Sequence, residues 1–416
     1  MAGSNGWAGW YSYHTVNWCS DRTLHPFAMS SPSSYSALRN EDEDAVPRRL
    51  NKFDAYLCGP PLPPSCFAGH QTVITAELLF ATLPTRSAVE ELVRSLLGSF
   101  DALSGRPSDK FEHWVPCAVD PKELIFEHEI DGGPNSMQAL VEQLIMQPIR
   151  HKATGPWWEV HRVYNKAAGA SPLWGPPEHH RLIVRIEHAC GDGIALSQVL
   201  SKIAGTPAQA YKAKPSVTKP NPCALLCDAM GSVARTLAAA LGPHDTSLPI
   251  NQLPRAQGCF GPSAALGPSS CQRHVVHVPE HSLELIKRIK DAASASSGKP
   301  YTINDVVFAA TAGALRRYCL EQQPTQPAQE LHKALVRALV PVAFPRPSEA
   351  PLQNDWTFVS AELPLGAAAP LDRLTHANDT FRHVKSSLLA PVAKCIANAN
   401  YGLPTALAQQ TALDLL

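Results

Sequence analysis

Three residues have the types and spacing to do chemistry. His188 stands four positions before Asp192 and five before Gly193, in the stretch RLIVRIEHACGDGIALSQVL. A neutral imidazole titrates near physiological pH and can take the proton from a hydroxyl as that hydroxyl attacks an acyl group. Asp192 suits a helix N-cap, where it satisfies an unmet N–H, and it could pair with an arginine to fix the turn. Gly193 lacks a β-carbon and would let substrate or backbone come close. Taken alone, HxxxDG describes a core histidine before a capping turn just as well, so the rest of the chain decides.

The elements around the motif follow from periodicity. Leu182, Val184 and Ile186 alternate with Arg181, Arg185 and Glu187, which predicts a strand. His188 continues the apolar face. Ile194, Leu196, Val199, Leu200 and Ile203 then fall on one side of a helix. The imidazole is therefore expected at a rigid strand end, beside a sharp Gly-Asp-Gly bend.

The chain has 416 residues, enough for two ordinary domains. Its 36 basic and 36 acidic residues balance, which argues against nucleic acid as a partner. The eleven cysteines include no CxxC pair and no zinc quartet, since Cys223 and Cys227 have no further ligand at metal spacing. They read as reduced apolar residues, and no metal is expected.

Residues 1–66 are polar and proline-rich and are expected to be a disordered N-terminal tail without a secretory signal. Residues 67–205 read as one half-domain. Its strands are QTVITAELLFA, HWVPCAV, LIFEHEI, EVHRVY and RLIVRIEH, and its helices span 87–100 and 136–146. Strands and helices alternate, but some connections are short, so a mixed sheet with flanking helices is expected. Residues 206–270 form a linker around the apolar stretch 223–241. Asp228 and Arg235 interrupt that stretch, and a charge at the bilayer centre costs at least about 2.5 kcal/mol. An amphipathic helix with the stripe Leu226, Met230, Val233, Leu237 and Leu241 is expected, docked on the protein or lying on a membrane. Residues 271–416 make a second half-domain. It holds the strand RHVVHVP, a helix over 281–294, and the helix TINDVVFAATAGALRRY, whose Thr302 and Asp305 suit a capping box. The apolar stripe of that last helix is read as Ile303, Val306, Val307, Ala310, Ala314 and Tyr318, with Asn304 in its first turn. Two apolar strands follow, then helices over 371–389 and in the final TALAQQTALDLL.

Four segments, in this order, resemble the wax ester synthase/diacylglycerol acyltransferase family in its plant-type branch. PWWEVHRV is similar to the family's PLWE segment, EHACGDGIAL to HHxxxDG and TINDVVFAATAGALRRY to TVNDV. LVPVAFP with QNDWTFVSAELP is similar to VPVS…GN…LP. The resemblance covers residues 70 to 416. It implies a fold like chloramphenicol acetyltransferase and the BAHD acyltransferases: two α/β half-domains with a tunnel between them. His188 would be the general base in that tunnel, Asp192 would orient its loop and Gly193 would give room. Asn304 and Asp305 would border the tunnel and, with Trp158, contact acyl-CoA, while Pro156 to Trp158 hold the first half together. Acyl-CoA is then a co-substrate and no cofactor is required. The implied acceptor is diacylglycerol or a fatty alcohol, and the implied setting is the cytosolic face of the endoplasmic reticulum membrane or a lipid-droplet surface.

The chain departs from the family pattern in three places. Glu187 replaces the first histidine, Trp157 replaces the leucine of PLW, and the later SNVPGP segment with its closing strands has no counterpart before residue 416. The last departure implies an incomplete C-terminal half-domain. It keeps open a second reading, a relative that binds acyl-CoA or lipid without turnover. A third, a BAHD-type enzyme for a small alcohol, is disfavoured by the missing DFGWG-like segment.

Overall fold

The computed structural model describes residues 48–58, 73–80, 83–131, 136–166, 180–207, 222–241, 246, 248, 275, 282–322 and 330–400. The proline-rich run 59–65 and the final TALAQQTALDLL lie outside them, as does RHVVHVP apart from Val275.

The first elements are α1 (Lys52–Cys58), β1 (Val73–Phe80), α2 (Arg86–Ser99) and the short α3 (Asp101–Ser104). The hairpin strands β2 (Gly105–Pro107) and β3 (Trp114–Pro116) follow, then β4 (Ile125–Ile130) and α4 (Ser136–Ile145). Next come β5 (Trp158–Asn165), β6 (His180–Glu187) and α5 (Gly193–Ile203). One four-stranded sheet runs β1-β6-β5-β4, with β4 and β5 parallel and the other pairs antiparallel. It is the mixed sheet that the alternation implies.

Both faces of β6 are buried. Its Leu182, Val184 and Ile186 join Val89, Val93 and Leu96 of α2 and Trp158 in one core. Ile183, on the other face, packs with Val163 and with Val141 and Leu144 of α4. Arg181, Arg185 and Glu187 share the Ile183 face, so three charges are carried out of water. Burial of charge is tolerated only with partners, and each has one: Glu77 for Arg181, Glu159 for Arg185, Lys152 for Glu187. Glu159 also accepts from His161 Nε2 at 3.0 Å and from the backbone N–H of Arg150 at 2.9 Å. Burial opposes its charge, but these bonds and the Arg185 guanidinium outweigh it and hold the carboxyl below its ordinary range.

The tail expectation needs correction within its own bounds. Residues 48–58 are ordered: Leu50 and Cys58 are buried in the first core, and α1 packs on the turn that carries His188. Asp54, in the first turn of α1, is 1 % exposed.

The remaining elements are α6 (Pro222–Leu241), α7 (Leu283–Ser297), α8 (Ile303–Gln322), β7 (Arg337–Ala343), β8 (Trp356–Glu362), α9 (Pro370–Ser386) and α10 (Leu389–Asn400). β7 and β8 pair antiparallel, and α8 packs on α9 with Phe308 edge-to-face on Phe381 at 5.0 Å. The helix expected over 371–389 is α9, which stops at Ser386, and a further helix, α10, follows from Leu389. The α8 stripe is also rotated from expectation. Its buried side is Asp305, Val306, Phe308, Ala309, Ala312, Arg316 and Cys319, whereas Ile303, Val307 and Tyr318 are exposed. Small residues and an arginine that snorkels to a carbonyl broaden the core-facing side beyond what apolar periodicity marks.

In α6 the apolar stripe faces away from the protein. Asp228 accepts the Leu388 N–H at 2.8 Å and Ser232 is fully buried. Leu226, Met230, Val233 and Leu237 are exposed, Leu226 by 62 % and Met230 by 65 %. The helix is docked on α10 through its polar side and turns its apolar stripe to solvent. Among the described residues, no helix is long and apolar enough to cross a membrane.

Candidate active site

The site is assembled from three stretches that are far apart in sequence. The first is the end of β6. Antiparallel pairing sets Trp158 opposite Ile186, and the Glu187 N–H donates to Trp157 O at 2.9 Å. The ladder thus ends where the strand hands over to a 3₁₀ turn, His188–Cys190. His188 is half-buried there, while Ala189 and Cys190 beside it are fully buried. Burial and the neighbouring Glu187, Cys58 and Asp54 push the Cys190 thiol well above its ordinary range, so it is a packing group and not a nucleophile.

Asp192 begins α5. Its Oδ1 accepts the Ala195 N–H at 2.9 Å, a side-chain N-cap. Its Oδ2 accepts from Arg346 Nη2 at 2.5 Å and from the Asp355 N–H at 2.8 Å. Asp192 and Arg346 are 5 % and 7 % exposed, so this is a buried ion pair across the two halves of the chain. Arg346 spends further donors on Gln353 O and Asp355 O. One carboxylate therefore ties the turn after His188 to the loop between β7 and β8.

The glycines divide the labour differently from the expectation. A β-carbon on Gly193 would meet nothing within 4 Å, so space there is open without needing a glycine. A β-carbon on Gly191 would lie 2.9 Å from Ala195 Cβ and 3.5 Å from Gln353 N. Gly191 is the position where Ala195 of α5 approaches too closely for a side chain, with the 353 loop in ordinary contact behind it.

Asn354 completes the cluster. Its Nδ2 donates to His188 O at 2.6 Å and to Asp54 Oδ1 at 2.8 Å, its backbone N–H donates to the same Oδ1 at 3.0 Å, and its Oδ1 accepts from Trp356 Nε1 at 3.1 Å. Two acceptors on one side and an indole N–H on the other fix the amide's orientation. The amide is fully used, so Asn354 holds the backbone of the histidine turn and has no donor left for an oxyanion. Trp356 then lies with its ring centroid 5.8 Å from that of His188 and is wedged by Phe53 at 5.1 Å and Phe358 at 4.5 Å.

Residues 48–58 clamp the same loop. Arg48 Nη1 donates to Leu352 O at 2.8 Å and Asn51 Nδ2 to Asn354 O at 2.9 Å. Burial and the nearby Asp192 push the Asp54 carboxyl up, against the hydrogen bonds from Asn354 and the charge of Arg48, and it settles at about 7.

The structure brings His188, Asp192 and Gly193 together and leaves the other three sequence candidates elsewhere. Trp158 is wholly buried, its Nε1 donating to Leu103 O at 2.7 Å, so it builds the first core and shows no surface to a ligand. Asp305 is also fully buried. It accepts the Thr302 N–H at 2.7 Å and Asn378 Nδ2 at 2.9 Å, which makes it the capping box of α8 and its tie to α9. Asn304 is exposed. Arg346, Asn354 and Asp54 were not singled out from sequence. The only available hints were Asn354 inside QNDWTF and the demand of Asp192 for an arginine.

No family model and no curated protein matches the chain. Among solved structures it is similar to the wax ester synthase/diacylglycerol acyltransferase from Marinobacter aquaeolei VT8, at 17 % identity and a TM-score of 0.47, over 88 % of this chain and 79 % of that one. It is similar also to the first condensation domain of the CDA synthetase, at 10 % identity and a TM-score of 0.44, over 82 % and 75 % of the two chains. A third is the EpoB cyclization-docking bidomain from Sorangium cellulosum, at 13 % identity and a TM-score of 0.46, over 86 % and 68 %.

Proposed function

We propose that the chain is an acyl-CoA-dependent O-acyltransferase of the wax ester synthase/diacylglycerol acyltransferase type, plant-type branch, with His188 as general base. The supporting observation is the double tether of the histidine turn. The carbonyl of His188 is held by Asn354 and its following loop by the Asp192–Arg346 pair, while the ring stays half-exposed. A turn held at two points presents its imidazole in one place, which is what proton transfer in a transition state requires. The four ordered sequence motifs name the reaction class.

In this reading the acceptor hydroxyl gives its proton to the His188 imidazole as its oxygen bonds to the thioester carbon. The tetrahedral oxyanion collapses, the carbon–sulfur bond breaks, and the thiolate of CoA leaves and takes the proton back from the imidazolium. The products are an ester and free CoA. The acceptor is diacylglycerol or a long-chain alcohol, acyl-CoA is a co-substrate, and no cofactor takes part. The exposed apolar face of α6 suits a membrane or lipid-droplet surface, the cytosolic face of the endoplasmic reticulum in particular, where both lipid substrates partition.

The test is ester formation from labelled acyl-CoA with each acceptor. His188→Ala is expected to lower turnover by about a hundredfold or more while leaving acyl-CoA binding in place. Equal turnover by the variant overturns the mechanism. Saturable acyl-CoA binding without ester from either acceptor selects the non-catalytic binding protein instead.

A further inference from the structure

A second cluster of charge lies away from His188, where α8 packs on α9. A cleft of about 420 Å³ is lined by Gly313, Arg316, Arg317 and Leu320 of α8, by Ala368 before α9, and by Arg373 in its first turns. Three guanidinium groups share one concavity, yet none of them makes an ion pair with any described residue. Structural arginines are ordinarily matched by carboxylates, and the nearest acid in sequence, Asp372, is exposed and does not line the cleft.

Several guanidinium donors stay unspent among the described residues. Arg373 spends Nη1 on Ala367 O at 2.9 Å and Ala368 O at 2.7 Å, and its Nη2 has no acceptor among the described residues. Gly313 lets this guanidinium lie against α8, since a β-carbon there would sit 3.0 Å from both Nε and Nη2. Arg316, nine-tenths buried, gives one N–H to Leu365 O at 2.6 Å, and the rest of its fork has no acceptor among the described residues. Arg317 is exposed and makes no hydrogen bond within the described residues. The N-terminal end of α9, a seventeen-residue helix, opens beside Ala368 and adds its own positive potential. Exposed Leu371 on α9 and Tyr318 on α8 give these two helices apolar surface as well.

We infer that this cleft binds a compact dianion of the phosphomonoester class, with Arg317 and Arg373 as its fork and Arg316 behind them. Guanidinium groups match phosphate bidentately, and a tetrahedral dianion with several acceptor oxygens uses donors that a single carboxylate would leave unmet. The inference stands apart from the acyl-transfer reading, because none of these residues touches the His188 cluster. The same chemistry could arrive as a free phosphorylated solute or as the headgroup of a lipid such as phosphatidic acid, which the experiment separates.

The full chain is titrated with inorganic phosphate at constant ionic strength and, in parallel, sedimented with phosphatidylcholine vesicles with and without phosphatidic acid. Saturable phosphate binding or phosphatidic-acid-dependent sedimentation is expected, weakened about tenfold in Arg317→Gln. Arg317 is exposed and makes no hydrogen bond or ion pair among the described residues, so this variant should keep the wild-type melting temperature. Arg373→Gln is the second variant, with the same expected loss. Response to phosphate alone assigns a soluble ligand, and response to the vesicles alone assigns a headgroup. No response to either probe, or binding unchanged in both variants, overturns the site.

Discussion

Asp54 shows how one side chain outside the motif governs the histidine turn. Its Oδ1 accepts two N–H groups of Asn354, and Asn354 in turn holds His188 O. The carboxyl titrates at about 7, well above its ordinary 3.8. A carboxyl whose folded value is raised binds its proton more tightly in the native state. The stability it contributes is therefore full below about pH 4 and is lost as pH rises through 7. Asp54→Asn keeps an oxygen acceptor in place and removes the titration. The variant should gain on wild type by on the order of 2 kcal/mol between pH 5 and pH 8. Urea unfolding at the two pH values reads this directly, and a difference that does not change with pH would refute it. His188 and Asp192 were legible because HxxxDG is local and each residue type has a local reason to be there. Asn354, Arg346 and Asp54 were not. Their partners lie 166, 154 and 300 residues away along the chain, and no periodicity reports such a distance.

Among the elements, the loop between β7 and β8 does the most for the site. It delivers Arg346 into a fully desolvated pair with Asp192 and turns the Asp355 N–H onto the same oxygen. Lys394 of α10 pairs with Asp355 and lies 4.1 Å from the Phe344 ring centroid, so α10 steadies the loop from behind. Removing one member of a buried pair leaves the other charge without compensation. Arg346→Met should cost about 3–5 kcal/mol, and the double change Arg346→Met with Asp192→Asn should recover part of it. A double-mutant cycle by chemical denaturation measures the coupling, and additive losses would show that the two groups do not act as a pair. The elements themselves read well wherever one period dominated: β6, α2 and α5 stand where alternation and i, i+3, i+4 spacing put them. Apolar periodicity misplaces the buried side of α8, because Ala312, Arg316 and Cys319 face its core while Ile303 and Val307 do not. In a helix with apolar residues on most sides, hydrophobicity alone does not say which side is buried. Contact with α9 decides that.

For the molecule as a whole, the two lobes are joined by buried polar ties and by Trp356 and Leu352 packed on the first lobe, and they leave an apolar face exposed. The order of strands and helices announced a mixed α/β chain, but how its surfaces are spent is a tertiary matter. Asp228 accepts the Leu388 N–H and Ser232 is buried on the same helix, while Leu226, Met230, Val233 and Leu237 face outward. A helix that buried its apolar stripe against the protein would have released that area from water during folding. Here the same area stays exposed to solvent. Each such side chain is worth about 1.5 kcal/mol or more when it leaves water. Replacing both Leu226 and Met230 by Glu should therefore reduce partition onto neutral phosphatidylcholine vesicles by on the order of a hundredfold. The fold should be unaffected, because neither side chain is buried, and turnover of acceptor dispersed in detergent should stay at the wild-type level. Unchanged vesicle binding would mean that α6 is not the contact. A loss of turnover in detergent together with vesicle binding would mean that the stripe serves the lobe and not the lipid. The predicted result, lost partition with retained turnover, requires that the surface which finds the lipid be separate from the turn that performs the chemistry.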